Sequence, residues 1–250
     1  MKALITGASS GIGRDIARSL ARRGYDLILV ARREDRLREL AQTLNTDVRI
    51  IPMDLTSVKN CKKLHEAVAD EQIDVLVNNA GRGLFGAFDE TDLDAELEML
   101  KLNITAMHVL MKLFLRDFKA RGRGRILNVA SSAAFLPGPL LSSYYASKAY
   151  VLRLSQAVAE ELRRANSAIK ISVLCPGPVH TEFNDVAGVQ FMQKGLSSEF
   201  VAEYAVQGML AGKLVVTPGL TMKAVHFAAH TLPDALLTRI CWYMQKRKRG

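Results

Sequence analysis

Residues 2–23 read KALITGASSGIGRDIARSLARR and decide the fold class. The stretch starts with a short apolar run, passes through a glycine-rich turn and continues with helical spacing. In the turn, Gly7 permits a tight bend, Gly11 lets the backbone approach a pyrophosphate, and Gly13 allows the helix to pack closely on the strand. The N–H groups and the dipole at the helix N-terminus attract phosphates. The stretch therefore predicts a strand–turn–helix unit that binds a pyrophosphate.

Apolar runs typical of buried parallel strands alternate with segments of helical spacing along most of the chain. The predicted strands are Lys2–Thr6, Asp26–Val30, Val48–Met53, Ile73–Val77, Arg125–Ala130, Ile169–Leu174 and Lys213–Thr217. The predicted helices include Gly11–Arg23, Glu34–Leu44, Ser57–Glu71, Leu93–Lys119 and Ser143–Ala165. Such repeated units imply right-handed crossovers. The sequence therefore predicts an α/β fold, with a single Rossmann-type, doubly wound, mainly parallel seven-stranded sheet and helices on both faces.

The length and composition fit one globular domain. Of the 250 residues, 49% are hydrophobic and 24% are charged. We expect one dinucleotide-binding and catalytic domain over residues 1–250, with a substrate lid at 183–198 and a basic C-terminal helical extension at 219–250. No targeting signal is visible, and the three cysteines show no C-x-x-C spacing. These features predict a cytoplasmic protein with no metal site.

The formal net charge of +9 is concentrated in two local patches. One lies between Arg116 and Arg125, and the other lies within residues 239–250. Because the remainder is neutral, the charge does not indicate nucleic-acid binding. The tail Leu232–Arg249 combines apolar side chains with basic ones, which suits peripheral contact with an anionic membrane or contact with a partner subunit. The alternative is a helix packed on its own domain with a solvated end.

Two arginines, Arg32 and Arg33, stand at the end of the second predicted strand. A carboxylate at this place would hold the ribose hydroxyls of NAD, whereas a guanidinium pairs with the 2′-phosphate of NADP through charge-assisted hydrogen bonds. The residue types therefore predict NADP(H), with NAD(H) less favoured, and Arg32 is the better candidate. The competing interpretation is that both arginines are solvated residues at a helix start.

Tyr144 and Lys148 lie in the predicted helix Ser143–Ala165, four positions apart and so on one helix face. A nearby ammonium stabilises a phenolate and lowers the pKa of the tyrosine towards neutrality, which suits a general acid–base. Tyr145 is three positions from Lys148, so spacing alone leaves Tyr145 open as the reacting residue.

Several motifs share the order and spacing of one protein family. They are the glycine turn, Asn78-Asn79-Ala80-Gly81, Ser131 and Tyr144-x-x-x-Lys148. Together they resemble the short-chain dehydrogenase/reductase family over about residues 2–217. The resemblance implies an oxidoreductase that interconverts a carbonyl and a secondary alcohol on a small molecule, uses a nicotinamide cofactor and assembles as a homodimer or homotetramer.

The resemblance also implies roles for individual residues. Tyr144 moves the proton at the substrate oxygen, and Lys148 binds the nicotinamide ribose and lowers the tyrosine pKa. Ser131 hydrogen-bonds the carbonyl oxygen, a role for which counting along the chain favours it over Ser132, and Asn103 positions a water in the proton relay. The residues implied to contact the cofactor are Gly7, Ser9, Ser10, Gly11, Ile12, Gly13, Arg32, Arg33, Asp54, Leu55, Asn78, Ala80, Gly81, Tyr144, Lys148, Pro176, Gly177, Val179 and Thr181.

Three alternatives stay open from the residues alone. Asp54, implied to contact the adenine, is also suited to cap the following helix. The chain as a whole is also compatible with a non-catalytic nicotinamide-binding regulator, or with a membrane- or protein-interaction module that uses the basic tail.

The predicted substrate pocket has an apolar lining, which suits an apolar ketone, aldehyde or alcohol. Its predicted lining residues are Leu84, Phe85, Phe88, Phe135, Leu136, Leu140, Leu141, Phe183 and Phe191.

Overall fold

The central sheet of the computed structural model, which describes residues 1–183 and 195–246, contains parallel strands only. Its strands in chain order are β1 (Lys2–Thr6), β2 (Asp26–Ala31), β3 (Val48–Pro52), β4 (Val75–Asn78), β5 (Arg125–Val129), β6 (Lys170–Leu174) and β9 (Val215–Val216), while β7 (Val179–His180) and β8 (Leu196–Ser197) pair separately. The seven strands are ordered β3-β2-β1-β4-β5-β6-β9. The strand order reverses between β1 and β4, where open α/β sheets bind ligands at the carboxyl ends of their strands. The predicted fold class is confirmed.

Helices cover both faces of this sheet. They are α1 (Gly11–Ala21), α2 (Glu34–Gln42), α3 (Val58–Ala67), α4 (Leu93–Leu100), α5 (Met107–Arg121), α6 (Ser142–Arg164), α7 (Ser198–Leu210), α8 (Leu220–Thr231) and α9 (Asp234–Lys246). Alternate residues of each strand enter two separate buried clusters. Leu4 and Ile28 pack with α3, α5 and α6, whereas Ile5 and Leu29 pack with α1, α2 and α7. This core on both faces fixes the register of the strands and so the position of each strand end.

One predicted helix is interrupted. The sequence predicts a continuous helix over Leu93–Lys119, but a π-helical segment, Lys101–Ala106, separates α4 from α5. Asn103 lies in this segment and uses its side-chain amide to bind the main chain of Arg82, just beyond β4. A wider helical turn of this kind often marks a functional site. The interruption therefore places Asn103 beside the carboxyl edge of the sheet.

The C-terminal third differs from the predicted pattern in extent. The last strand of the sheet is Val215–Val216, shorter than the predicted Lys213–Thr217. Most of the predicted lid, 183–198, lies outside the described residues, and at its far end β8 pairs with β7. The tail contains α8 and α9. Within residues 1–183 and 195–246, no helix is long and apolar enough to cross a membrane.

Candidate active site

The glycine turn between β1 and α1 has a shape that only glycine allows. Gly7 and Gly11 have φ values of 67° and 53°, in the left-handed region that other residues rarely adopt. A Cβ on Gly13 would lie 2.3 Å from the carbonyl oxygen of Gly7 and 2.3 Å from Asn79 Nδ2. The first turn of α1 therefore packs directly against the turn before it.

Asn79 fastens the end of β4 to the glycine turn. Its Nδ2 donates to the carbonyl oxygens of Thr6 at 3.1 Å and Gly7 at 3.0 Å. The hydroxyl oxygen of Thr6 accepts from the N–H groups of Asn79 at 3.0 Å and Ala80 at 3.1 Å. These bonds hold the two neighbouring strand ends at the topological switch point in one rigid unit.

The side chain of Asn78 has a different environment from the predicted one. It is buried, and its Nδ2 donates to Asn128 Oδ1 at 2.9 Å, while Asn128 Nδ2 donates to Ser155 Oγ at 2.9 Å. This chain of amides links β4, β5 and α6 beneath the site. The residue type alone did not reveal which of two adjacent asparagines faces the turn, and Asn79 is the one that the sequence reasoning missed.

At the adenosine end, Arg33 contacts the glycine turn. Its Nη2 donates to the hydroxyl oxygens of Ser9 at 3.2 Å and Ser10 at 3.1 Å. Both arginines are exposed, and Arg33 is the one whose guanidinium contacts these hydroxyls, whereas the sequence favours Arg32. Arg33 occupies the N-cap of α2. At that place the chain leaves the strand, so strand alternation does not predict the direction of its side chain.

Glu182 holds a second set of contacts at the same place. Its carboxylate accepts a hydrogen bond from Arg33 Nη1 at 2.9 Å and another from Arg36, on α2. The neighbouring Thr181 lies against the turn, because a Cβ on Gly11 would be 2.9 Å from Thr181 Cγ2. The sequence reasoning named Thr181 but missed Arg36 and Glu182. An arginine three positions after Arg33, at the start of a helix, is the signal that would have pointed to Arg36.

The other predicted cofactor contacts line the same edge. Asp54 is exposed, and its Oδ1 accepts from the N–H of Thr56 at 2.9 Å, in the turn before α3. The N-cap of α3 is Ser57, so Asp54 is not the helix cap that the sequence left as the alternative. Leu55 is buried in the core. The carbonyl of Pro176 accepts from the N–H of Ser132 at 2.8 Å. The remaining residues are partly or fully buried around the turn and the β7 segment; they are Ile12, Ala80, Gly81, Gly177 and Val179.

The structure brings Ser131, Tyr144 and Lys148 together. The Ser131 side chain is close enough to the Tyr144 hydroxyl to lower its pKa by hydrogen bonding. Lys148 Nζ donates to the carbonyl of Val129 at 3.0 Å and lies 5.8 Å from the centroid of the Tyr144 ring. Tyr145 faces elsewhere, since its hydroxyl accepts from Gln245 on α9. These contacts distinguish the two tyrosines that helical spacing left open. Tyr144, and not Tyr145, lies next to Ser131.

Asn103 and Gly81 complete this group. Asn103 Oδ1 accepts from the N–H of Arg82 at 3.0 Å, and Nδ2 donates to the Arg82 carbonyl at 2.9 Å and to Ser147 Oγ at 3.1 Å. A Cβ on Gly81 would lie 3.0 Å from Asn103 Oδ1 and 3.3 Å from Lys148 Nζ. Gly81 therefore leaves the space through which these two side chains approach each other.

Burial sets the protonation of the two reacting groups. It raises the pKa of Tyr144 to about 12, against the opposing effect of the hydrogen bond from Ser131. Burial also lowers the pKa of Lys148 to about 8. The expectation that Lys148 lowers the tyrosine pKa towards neutrality is not met, because the ammonium is directed at the Val129 carbonyl and the phenol is desolvated. The Tyr144 phenol is thus protonated at neutral pH.

Comparison with known proteins gives the family. A family model described as short chain dehydrogenase matches residues 1–189. The chain belongs to the short-chain dehydrogenase/reductase family. It is therefore an oxidoreductase that acts on CH–OH or C=O groups with a nicotinamide cofactor.

Three known proteins are similar to this dehydrogenase/reductase in sequence or in structure. An uncharacterized oxidoreductase of Staphylococcus epidermidis is 31% identical over 89% of this chain and 96% of its own length. Human 17-beta-hydroxysteroid dehydrogenase type 3 is 33% identical over 80% of this chain and 66% of its own. A short-chain dehydrogenase from Sphingobium yanoikuyae, solved in complex with NADPH, has 32% identity and a TM-score of 0.84, with 95% of each chain covered.

The glycine turn of this dehydrogenase/reductase fits a dinucleotide. Side chains at Gly7 or Gly13 would collide with the main chain, so the turn leaves a cradle open beside the start of α1. Within the described chain, the N-cap residue Ser10 makes no side-chain cap hydrogen bond, so its side chain leaves the first N–H groups of α1 available to a bound phosphate. The described residues also bring no three His, Cys, Asp or Glu side chains together as a metal-binding group.

Apolar side chains pack around Tyr144. Met99, Ala133 and Leu141 form a buried cluster with Tyr144, and the Phe183 ring lies 5.4 Å from the tyrosine ring. Leu84, Phe85 and Tyr145 pack against the cluster. Four of the predicted pocket residues thus lie here: Leu84, Phe85, Leu141 and Phe183. Phe135 and Leu136 belong to the main core, Leu140 is buried, Phe88 is exposed, and Phe191 lies outside the described residues.

Proposed function

We propose that this protein is an NADP(H)-dependent reductase of apolar ketones and aldehydes, in which Tyr144 is the general acid–base. One observation carries the proposal: the side chains of Ser131 and Lys148 stand beside Tyr144, and Tyr144 lies within an apolar cluster. Two hydroxyl donors converging on one point suit a carbonyl oxygen that gains negative charge as it is reduced. This intact set also argues against a non-catalytic regulator.

The geometry supports a defined role for each side chain. When bound, a nicotinamide cofactor supplies or accepts the hydride at the substrate carbon. Tyr144 gives its proton to the substrate oxygen, and Ser131 hydrogen-bonds the same oxygen. Ser131 Oγ accepts from the N–H of Ala133 at 3.1 Å, which fixes the direction of its hydroxyl. Lys148, whose Nζ donates to the Val129 carbonyl at 3.0 Å, would hold the nicotinamide ribose, and Asn103 positions the neighbouring main chain at Arg82.

Because burial keeps the Tyr144 phenol protonated at neutral pH, we infer that the free protein is in the protonation state that carbonyl reduction requires under those conditions. The protonated phenol is the form that donates a proton to the substrate oxygen as the carbonyl becomes an alcohol. Oxidation of an alcohol needs the deprotonated form, which is scarce at neutral pH when the pKa is about 12.

The contacts of Arg33 support NADP(H). Its guanidinium sits on the hydroxyls of Ser9 and Ser10, beside the cradle for the pyrophosphate. The similar dehydrogenase from Sphingobium yanoikuyae was solved with NADPH. Arg33→Gln is expected to weaken NADPH binding while NADH binding changes little, with Arg32→Gln as the matched control. An equal loss in both arginine variants, or equal use of NADH and NADPH, would contradict this assignment.

The apolar cluster around Tyr144 supports a bulky apolar substrate, and one similar protein is a hydroxysteroid dehydrogenase. The test follows NADPH oxidation with a series of linear ketones, a steroid ketone and an anionic keto acid. Each buried methylene contributes about 0.8 kcal/mol, so kcat/KM should rise about fourfold per added methylene until the pocket is filled. A preference for the keto acid would contradict the proposed substrate class.

A second role is supported by the outer face of α9. Leu236, Ile240, Trp242 and Tyr243 are exposed there, on a helix that also carries Arg239. Apolar and basic side chains on one helix suit an anionic membrane surface. Vesicles with anionic lipid should bind the protein, vesicles of zwitterionic lipid should not, and Trp242→Ala should weaken the binding without loss of turnover. Binding that ignores lipid charge, or that Trp242→Ala leaves unchanged, would contradict this role.

The remaining expectations about organisation stay proposals. We infer one catalytic domain over residues 1–250, with 183–198 as a substrate lid and 219–250 as the basic helical extension. The packing of Phe183 on Tyr144 supports a lid that starts at the site. Assembly as a homodimer or homotetramer through α6 is supported by the exposed side of that helix at Tyr150 and is tested by light scattering.

A further inference from the structure

The carboxylate of Glu182 accepts hydrogen bonds from two arginines, Arg33 and Arg36, at the adenosine end of the glycine turn. Glu182 Oε2 accepts from Arg33 Nη1 at 2.9 Å, and Glu182 Oε1 accepts from Arg36 Nη1. The arginines belong to the N-cap and first turn of α2, whereas Glu182 follows β7, far along the chain. Two oxygens of one anion, each on a different guanidinium, reproduce the way in which arginines hold a phosphate.

The neighbours of Glu182 fix its place. Thr181 lies against Gly11, and its Oγ1 accepts from the N–H of Phe183 at 3.3 Å. The Phe183 ring packs on Tyr144. The segment that carries Glu182 is therefore held at the glycine turn on one side and at the reacting tyrosine on the other, so its carboxylate stands at the arginines in a defined position.

The contact is open to exchange with a dissolved anion. The side chains of Arg33 and Glu182 are each 43% exposed, and that of Arg36 is 38% exposed. The hydrogen bonds from Arg36 and Arg33 hold the pKa of Glu182 below its ordinary value, so the carboxylate is charged at neutral pH. Exposed ion pairs are weak because water screens them. A phosphate that reaches the same guanidiniums therefore competes on similar terms.

We propose that Glu182 is an internal competitor for the 2′-phosphate of the cofactor, which gains Arg33 and Arg36 only by displacing this carboxylate. The inference rests on the proposed function, because it takes these arginines as the 2′-phosphate site. NAD(H) lacks the phosphate and makes no use of the arginines. Glu182 therefore reduces the preference for NADP(H) over NAD(H), and Arg36 joins Arg33 in setting that preference.

The test compares the binding of 2′,5′-ADP and 5′-AMP, which differ by one phosphate and carry no nicotinamide, by calorimetry at fixed salt. Glu182→Gln should bind 2′,5′-ADP about fivefold more tightly, the effect expected for an exposed ion pair, while 5′-AMP binding is unchanged. The matched control is Glu160→Gln, which removes an exposed carboxylate from a different arginine pair, Arg163 and Arg164, and should change neither ligand. Unchanged or weaker binding of 2′,5′-ADP to Glu182→Gln, or an equal gain for 5′-AMP, would overturn the proposal.

Arg33→Gln separates this proposal from the one on which it rests. If Arg33→Gln loses affinity for 2′,5′-ADP but Glu182→Gln gains none, Glu182 is not a competitor of the 2′-phosphate, and the proposed preference for NADP(H) stands. If Arg33→Gln leaves the ratio of the two affinities unchanged, the 2′-phosphate site itself is wrong, and the competitor fails with it. A rise for Glu182→Gln together with a fall for Arg33→Gln supports both.

Discussion

Replacing Lys148 by methionine should stabilise the fold at neutral pH while it removes activity. Burial lowers the pKa of Lys148 from 10.5 to about 8, so the folded protein holds this proton less tightly than the unfolded chain. That difference corresponds to about 3 kcal/mol of unfolding free energy. Methionine is apolar and fills a similar space. It leaves the Val129 carbonyl without its bond from Nζ, which costs about 1 kcal/mol, so the net gain is about 2 kcal/mol.

The sign of the pH dependence follows from which state holds the proton. Between about pH 8 and pH 10.5 the unfolded chain binds the proton and the folded protein does not, so the contribution of Lys148 to stability increases with pH across that window. Below about pH 8 both states are protonated and the full penalty applies. The advantage of Lys148→Met is therefore largest at neutral pH and shrinks as the pH rises through the window.

Urea unfolding of the wild type and Lys148→Met, followed by circular dichroism, measures this advantage at neutral pH and again inside the window. Lys112→Met is the matched control, because Lys112 is an exposed lysine on the helix α5 and its removal relieves no buried charge. A variant less stable than the wild type at neutral pH would refute the reasoning, as would an advantage that does not change with pH. The expected trade of stability for function is common at active sites.

The remaining predictions concern the glycine turn and the proton. Gly13→Ala should destabilise the protein by about 1–3 kcal/mol in thermal or urea unfolding, because the new Cβ would lie 2.3 Å from the Gly7 carbonyl oxygen. Alanine usually stabilises a helix relative to glycine, so a more stable variant would contradict this packing. Asn79→Asp should lower the melting temperature and the NADPH affinity more than Asn79→Ala does, since a carboxylate would face the Thr6 and Gly7 carbonyls. If the aspartate variant is as stable as the alanine variant, the Asn79 amide nitrogen does not face those carbonyls. Because burial raises the pKa of Tyr144 to about 12, the rate of alcohol oxidation should increase about tenfold per pH unit above neutrality, while the rate of reduction stays nearly level. Initial rates in both directions at several pH values check this. An oxidation rate that does not change with pH would argue against Tyr144 as the base.

The sequence predicted those parts of the site that depend on local chemistry. The glycine turn was readable because Gly7 and Gly11 adopt backbone angles, and Gly13 a close contact, that other residues do not allow. The doubly wound parallel sheet followed from the repeated strand–helix units. The neighbourhood of Tyr144 and Lys148 followed from helical spacing, although that spacing alone did not separate Tyr144 from Tyr145.

The parts that the sequence did not predict depend on contacts between distant segments. The side chain that faces the turn is Asn79 and not Asn78, because Thr6 and Gly7 present their carbonyls to it. Arg33 contacts the hydroxyls of Ser9 and Ser10, and Glu182 reaches Arg33 from the segment after β7, a contact that residue order along the chain does not report. The pKa of Tyr144 depends on burial, which the spacing of a lysine does not report. Helical propensity also hid the π-helical segment around Asn103.

The central assignment is Tyr144 as the residue that moves the proton. The most direct test measures NADPH oxidation with a reactive apolar ketone, and NADPH affinity separately, for Tyr144→Phe and its neighbour control Tyr145→Phe. Loss of general acid catalysis typically costs about 10²- to 10⁴-fold in rate, so Tyr144→Phe should lose turnover to that extent and still bind NADPH, while Tyr145→Phe keeps turnover. Turnover that survives in Tyr144→Phe, or is lost in Tyr145→Phe with NADPH binding intact, would contradict the account.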